Sequence, residues 1–306
     1  MAPDGLWIAL TVWAGFAQTL RNAAQRSLVG SAGTLGATLV RFLFGLPFAL
    51  IYLGAVLLIA GADIPRVNWP FAGWVLEGGL CQIAATALLL RVMEARNFAV
   101  GVAYSKTELV QVAIFGAAFL GDATTLPTVV AIILATLGVL LLSPPVGDRG
   151  RLRGMLEGWT SQTALLGIAS GAGFALAAVG YRGAALDLGD GVKFTVAAAY
   201  TLVWAMAIQV AVLGGWLMLR NAGVIVSLLR LWRQSVAAGF MGAAASAGWF
   251  TAFAIEPAAH VRTLGLVELL FSLAIARRFF RESLSRVELF GVALLAVALV
   301  IITLGR

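Results

Sequence analysis

Three ionisable residues sit in the most apolar parts of the chain. Lys106 and Glu108 lie inside stretch 98–120, and Glu268 lies inside stretch 258–280. Each stretch is long enough to cross a bilayer, which takes roughly 20 residues. A charge at that depth costs at least about 2.5–3.5 kcal/mol on insertion scales, so each is a candidate functional group. The chemistry they offer is recognition and proton exchange. A carboxylate takes an ammonium or hydroxyl, a lysine takes a carboxylate, and a buried carboxyl can hold or release a proton.

On a regular helix, Tyr104, Glu108 and Gln111 fall at i, i+4 and i+7 and share one face, which Phe115 extends. Lys106 is two residues from Glu108 and points elsewhere on such a helix, so each is expected to pair with another element. Glu77 and Gln82 are the possible partners of Lys106. Glu268 and Ser272 share a face at i, i+4. Trp13, Gln18 and Trp249 complete the candidate substrate-binding set. Trp13 is included because it stands near mid-span, whereas tryptophan prefers the interfaces. Glu108 and Glu268 are the proton-coupling candidates. The alternative for both is a buried structural network between helices.

Other polar residues have blander readings. Arg41, a turn and a half into its span, is expected to snorkel to the interface. Asp122 and Glu282 stand in tight turns, where a carboxylate complements a helix N-terminus. His260 at a helix start is read as structural. With one Cys and one His in 306 residues, neither a metal cluster nor an internal disulfide is expected. No phosphate-binding loop occurs, and no Ser/His pair or Asp-rich motif suggests a lipid enzyme. The chain is read as a non-enzyme without a cofactor.

The elements that carry these residues are apolar throughout. The chain is 61% hydrophobic and 11% charged, where a soluble domain is about 25% charged. This predicts an all-α membrane protein, since barrel strands would alternate polar and apolar. Ten spans are expected, at about 5–24, 33–60, 69–93, 98–120, 124–143, 160–181, 192–217, 234–255, 258–280 and 285–304. The first is read as a retained span rather than a signal peptide. Pro47 is expected to bend the second span or mark a discontinuity. Residues 223–234 suggest a short interfacial amphipathic helix.

Landmarks recur at an offset of about 160. Glu108 and Asp122 correspond to Glu268 and Glu282, Glu94 to Glu256, and an Ala-Gly-Phe-Ala run at 14–17 to another at 172–175. The chain therefore divides into repeats at 1–143 and 158–306, joined by a linker at 144–157 with prolines and arginines. Five spans is an odd number, so tandem copies are inverted in the membrane, around a central cavity. Glycine-rich spacing in spans 6 and 8 is read first as close helix packing. The net charge of +7 is nearly all Arg and points to anionic lipid and topology rather than nucleic acid. The side holding the loops after spans 1, 3, 5, 7 and 9 carries 14 of the basic residues and the other side 5, which places both termini outside.

The chain resembles the drug/metabolite transporter superfamily, in its ten-span branch with two EamA-type repeats. The resemblance rests on Tyr104, Ser105, Lys106, Thr107 and Glu108 leading to Phe119, Leu120, Gly121 and Asp122. The second copy is Val267 and Glu268 leading to Phe280, Arg281 and Glu282. The resemblance implies two inverted five-helix repeats around a cavity lined by helices 1, 3, 4, 6, 8 and 9, and export of amino acids or other small metabolites. Relatives commonly have both termini cytoplasmic, against the charge count. Span 1 lacks the carboxylate on which the superfamily's four-span multidrug pumps depend. The expectation is a multi-pass protein of the cell inner membrane, monomer or homodimer, whose partners are lipids and a small-molecule substrate. The alternatives are a lipid or lipid-linked substrate translocase and a proton-coupled multidrug pump.

Overall fold

The computed structural model describes residues 5–95, 105–123, 125–142, 162–271 and 286–304. The linker at 144–157, Tyr104, Ser272 and Glu282 lie outside them. Among the described residues the chain is helical, without strands. The helices are α1 (Leu6–Leu43), α2 (Leu46–Ala60), α3 (Trp69–Ala95), α4 (Glu108–Leu120), α5 (Leu126–Leu142), α6 (Gln162–Asp187) and α7 (Phe194–Gln209). A π-helical turn, Val210–Gly214, leads to α8 (Gly215–Arg230), then α9 (Trp232–Ile255), α10 (Ala258–Leu264) and α11 (Arg286–Leu304). Among the described residues, five helical segments are long and apolar enough to cross a membrane, the longest being the α1–α2 run. This is the architecture of an all-α membrane protein. Large apolar side chains such as Ile59, Leu219 and Leu304 stay on the outer surface. A hydrocarbon surrounding accepts such a surface, provided that the backbone bonds are closed within the helices.

The first two expected spans are one helical run with two interruptions. Gly33 adopts φ 69° and ψ 170° inside α1, a conformation that a residue with a Cβ rarely takes. The second interruption is at Phe44 and Gly45. Pro47 follows it in the first turn of α2. There its missing N–H costs nothing, so it starts a helix rather than bending one. Residues 222–230 form a short helical segment of their own, set off from the rest of α8 by the non-helical Asn221, and the expected helix at 223–234 ends at Arg230 because α9 begins at Trp232.

The main packing partners cross between the halves. α1 lies along α9, α3 along α6, α5 along α11 and α2 along α7. Exchanging the two halves maps the first pair onto the second and leaves the other two in place. Small residues permit the close approaches. A Cβ on Gly248 would lie 2.9 Å from both Ala14 Cβ and the Leu10 carbonyl oxygen. A Cβ on Gly173 would lie 3.0 Å from Ala85 Cβ. These helices touch backbone to backbone, so the close-packing reading of the glycines holds.

Gly248→Leu is expected to force α9 off α1. Overpacking of this kind costs about 1–3 kcal/mol, and a lowered thermal unfolding midpoint in detergent checks it. An equivalent change at Gly54, whose Cβ would meet nothing within 4 Å, should leave the midpoint in place.

Candidate functional site

The ionisable residues of the apolar stretches meet where the fourth expected span of each half loosens. Lys106 and Thr107 form a turn between Ser105 and α4, and Gly265 and Leu266 form one after α10. At the first, the Leu109 N–H bonds the Lys106 carbonyl at 3.2 Å. At the second, the Leu269 N–H bonds the Leu266 carbonyl at 2.9 Å. Both are i to i−3 bonds, tighter than the α-helical ladder, and they stand 160 residues apart. Glu108 and Glu268 each sit one residue before the bonded leucine. Such an interruption inside a helix often marks a hinge or functional position.

The turn changes what Lys106 can reach. Its Nζ makes an ion pair with Glu268 Oε1 and lies 3.6 Å from Glu108 Oε1. The expectation that Lys106 points away from Glu108 assumed a regular helix, and the tight turn overturns it. Glu77 is not its partner either. That carboxylate lies beside Cys81, whose Sγ–H donates to it at 3.4 Å.

Around this trio lies a small polar cavity. Gln18 of α1 and Trp249 of α9 form a chain into it. The indole Nε1–H donates to Gln18 Oε1 at 3.0 Å, and Gln18 Nε2 donates to Glu268 Oε2. Arg262 of α10 lies with its Nη1 3.9 Å from Glu108 Oε1. Its guanidinium stacks on the rings of Trp249 and Phe253, at 4.8 and 5.3 Å. Gln82 of α3 lines the same space. It accepts from the Tyr181 hydroxyl at 3.0 Å and from Gln209 Nε2 at 2.8 Å.

Of the candidate residues, Gln18, Gln82, Lys106, Glu108, Trp249 and Glu268 are brought together here. Tyr104 and Ser272 are outside the described residues. Trp13 is on the outer surface, 49% exposed beside Phe16, and does not line the cavity. Gln111 is off the cavity as well, its side-chain oxygen buried without a hydrogen-bond partner.

The sequence reading missed the arginines. Arg41 does not snorkel. It is 2% exposed and faces the cavity with its Nη1 3.4 Å from Thr86 Oγ1. The reason is packing. A Cβ on Gly242 of α9 would lie 3.2 Å from Arg41 Cβ and 3.6 Å from Arg21 Cδ, so α9 closes over both stems. Arg21, one of the 14 basic residues assigned to one side in the charge count, and Arg262, one of the 5 on the other, are buried beside it. Their one available signal was position within or at the edge of an apolar stretch.

One end of the helix assembly is held by a separate network. Arg182 of α6 grips Asp122 with two parallel bonds, Nε to Oδ2 and Nη2 to Oδ1, each 3.0 Å. Its Nη1 donates to the carbonyls of Phe253 and Glu256, both at 2.9 Å. Asp122 therefore serves this arginine, and the turn before α5 uses Thr125 instead, whose hydroxyl accepts from the Thr128 N–H. His260 bridges Glu256 and Thr128 at 2.7 and 2.8 Å, a structural position as expected.

No known protein family and no curated protein matches the chain. A solved structure, described only as the crystal structure of a protein, is similar in fold. Its TM-score is 0.64 at 15% identity, over 97% of this chain and 96% of that one. At that identity the likeness concerns the fold alone.

Removing Lys106 leaves Glu268 without an ion-pair partner among the described residues, and removing Glu268 leaves Lys106 with only its longer contact to Glu108. Lys106→Met and Glu268→Gln should each destabilise the chain more than their combination does. Denaturant unfolding in detergent checks this, with an expected coupling of about 0.5–3 kcal/mol.

Proposed function

We propose that the chain is a secondary transporter that moves small organic solutes across the membrane by alternating access. The observation that carries this is the polar cavity in which Lys106, Glu108 and Glu268 meet Gln18 and Trp249. It is built from both halves of the chain and buried among apolar helices. Charges are costly there, and a binding function is the common reason for keeping them. The cross-pairing of helices and the matching tight turns at offset 160 support an organisation as two five-helix repeats. In inverted-repeat transporters of this kind the substrate sits between the halves, at interrupted helices. This is also what the EamA-type resemblance implies.

In this reading the protein is a ten-span protein of the inner membrane. Amino acids or related metabolites are the first substrates to test, with export as the direction. Glu268 and Glu108 bind the solute or exchange a proton, and the Lys106 pair changes partner as the halves rock. Binding energy from a solute can favour one arrangement of such a cluster only by interacting with it differentially.

Flux in proteoliposomes tests the proposal. Labelled amino acids should show saturable flux with the wild type, reduced at least about tenfold in Glu268→Gln, a loss in the range of one charge-assisted hydrogen bond. Accumulation driven by an imposed pH gradient would add proton coupling. No flux of any amino acid would remove that substrate class, and undiminished flux in both Glu268→Gln and Glu108→Gln would show the carboxylates to be structural.

A further inference from the structure

We infer that the cavity binds a small organic anion, its carboxylate or phosphate group seated between Arg21 and Arg41. This deepens the transporter reading and rests on it for the role of the cavity. The first ground is charge balance. Four cationic side chains, Arg21, Arg41, Lys106 and Arg262, face the cavity with two carboxylates, Glu108 and Glu268. Both carboxylates are already engaged by Lys106, and Glu108 also lies near Arg262. Arg21 and Arg41 have no carboxylate within ion-pair distance among the described residues.

The second ground is unfilled bonding capacity. Arg21 is 3% exposed, and its guanidinium donates to Asn22 Oδ1, at 2.7 Å from Nη2 and 3.3 Å from Nε. Arg41 has the 3.4 Å contact with Thr86 and lies over the Phe42 ring at 5.0 Å. Its Nε is buried without a hydrogen-bond partner. A guanidinium has five donors and stays charged. Two of them lining one cavity, with most donors unused, form an environment that an oxyanion completes. Planar carboxylate and phosphate match the guanidinium fork, which an isolated halide does not.

The third ground is that the pair is positioned. Both arginines come from α1, on either side of the Gly33 interruption. Gly242 of α9 holds their stems together, as its absent Cβ leaves the space that Arg41 Cβ and Arg21 Cδ border. The excess of two positive charges favours a solute with net negative charge over a zwitterion. An aspartate-like or dicarboxylate metabolite and a phosphate ester share this chemistry.

The test uses the full-length protein in detergent, titrated with succinate, aspartate, inorganic phosphate, leucine and choline, with binding read by calorimetry. Succinate, aspartate or phosphate should bind, and leucine and choline should not. The preferred anion separates a carboxylate from a phosphate source. Affinity for it should fall at least about tenfold in Arg21→Gln and in Arg41→Gln, the loss expected of one charge-assisted contact. Arg220→Gln, at an exposed position of α8, should bind as the wild type does. Arg21→Lys and Arg41→Lys keep the charge and lose the fork, and serve if the glutamine variants do not fold. Binding of leucine or choline alone, binding of no anion, or anion binding unchanged in both arginine positions would overturn the inference. Flux of the same probes separates the two readings. Arginine-dependent anion binding without flux removes transport and leaves the anion site. Flux of leucine or choline that ignores both arginines does the reverse.

Discussion

The structure depends on the pairing of Lys106 with two carboxylates in a place where water is scarce. An isolated charge among apolar helices is too costly to persist, and a buried pair is stable only when its geometry and remaining hydrogen bonds are good. Glu268 meets this condition through Lys106 on one oxygen and Gln18 on the other. Gln18 is in turn held by the Trp249 indole. This chain of contacts links the first half of the sequence to the second through side chains rather than through the linker. Any large relative movement of the halves must break or exchange it.

The helices that deliver these groups are themselves adapted to close contact. α1 and α9 approach over Gly248 and Gly242, and α3 and α6 over Gly173. In a hydrocarbon surrounding, apolar residues gain little by leaving lipid for protein, so shape and backbone approach dominate helix association. The same glycines decide where the arginines can go. With α9 lying over Arg41 and Arg21, those side chains have no path to an interface and turn into the cavity. Packing and chemistry are therefore set by the same positions.

At one end the assembly is tied by Arg182, which holds Asp122 and two carbonyls at the end of α9. Phe253 lies in the last turn of α9 and Glu256 is its extended cap residue, so neither carbonyl has a later helical N–H. The arginine satisfies them and joins α6, the α4–α5 turn and the α9–α10 junction in one contact. It is separate from the Lys106 cluster, so the central charges can rearrange without loss of this tie.

Much of the class of structure was legible in the residues. Continuous apolar stretches exclude strand alternation and demand helices, and Lys106, Glu108 and Glu268 stand out because charge in such a stretch is rare. The recurrence at offset 160 paired Glu108 with Glu268, but it gave no sign of the tight turns that precede them. Spacing arithmetic failed where the helix stopped being regular. It set Lys106 and Glu108 apart, and the i to i−3 turn brought them within 3.6 Å. It also could not rank polar residues by environment. Trp13 faces outward and Arg41 inward because of which helix packs on which face of α1. Periodicity describes one helix at a time, so apolar class and candidate charges follow from sequence alone. The partners of those charges follow from contacts between residues up to 250 positions apart, which only the tertiary packing decides.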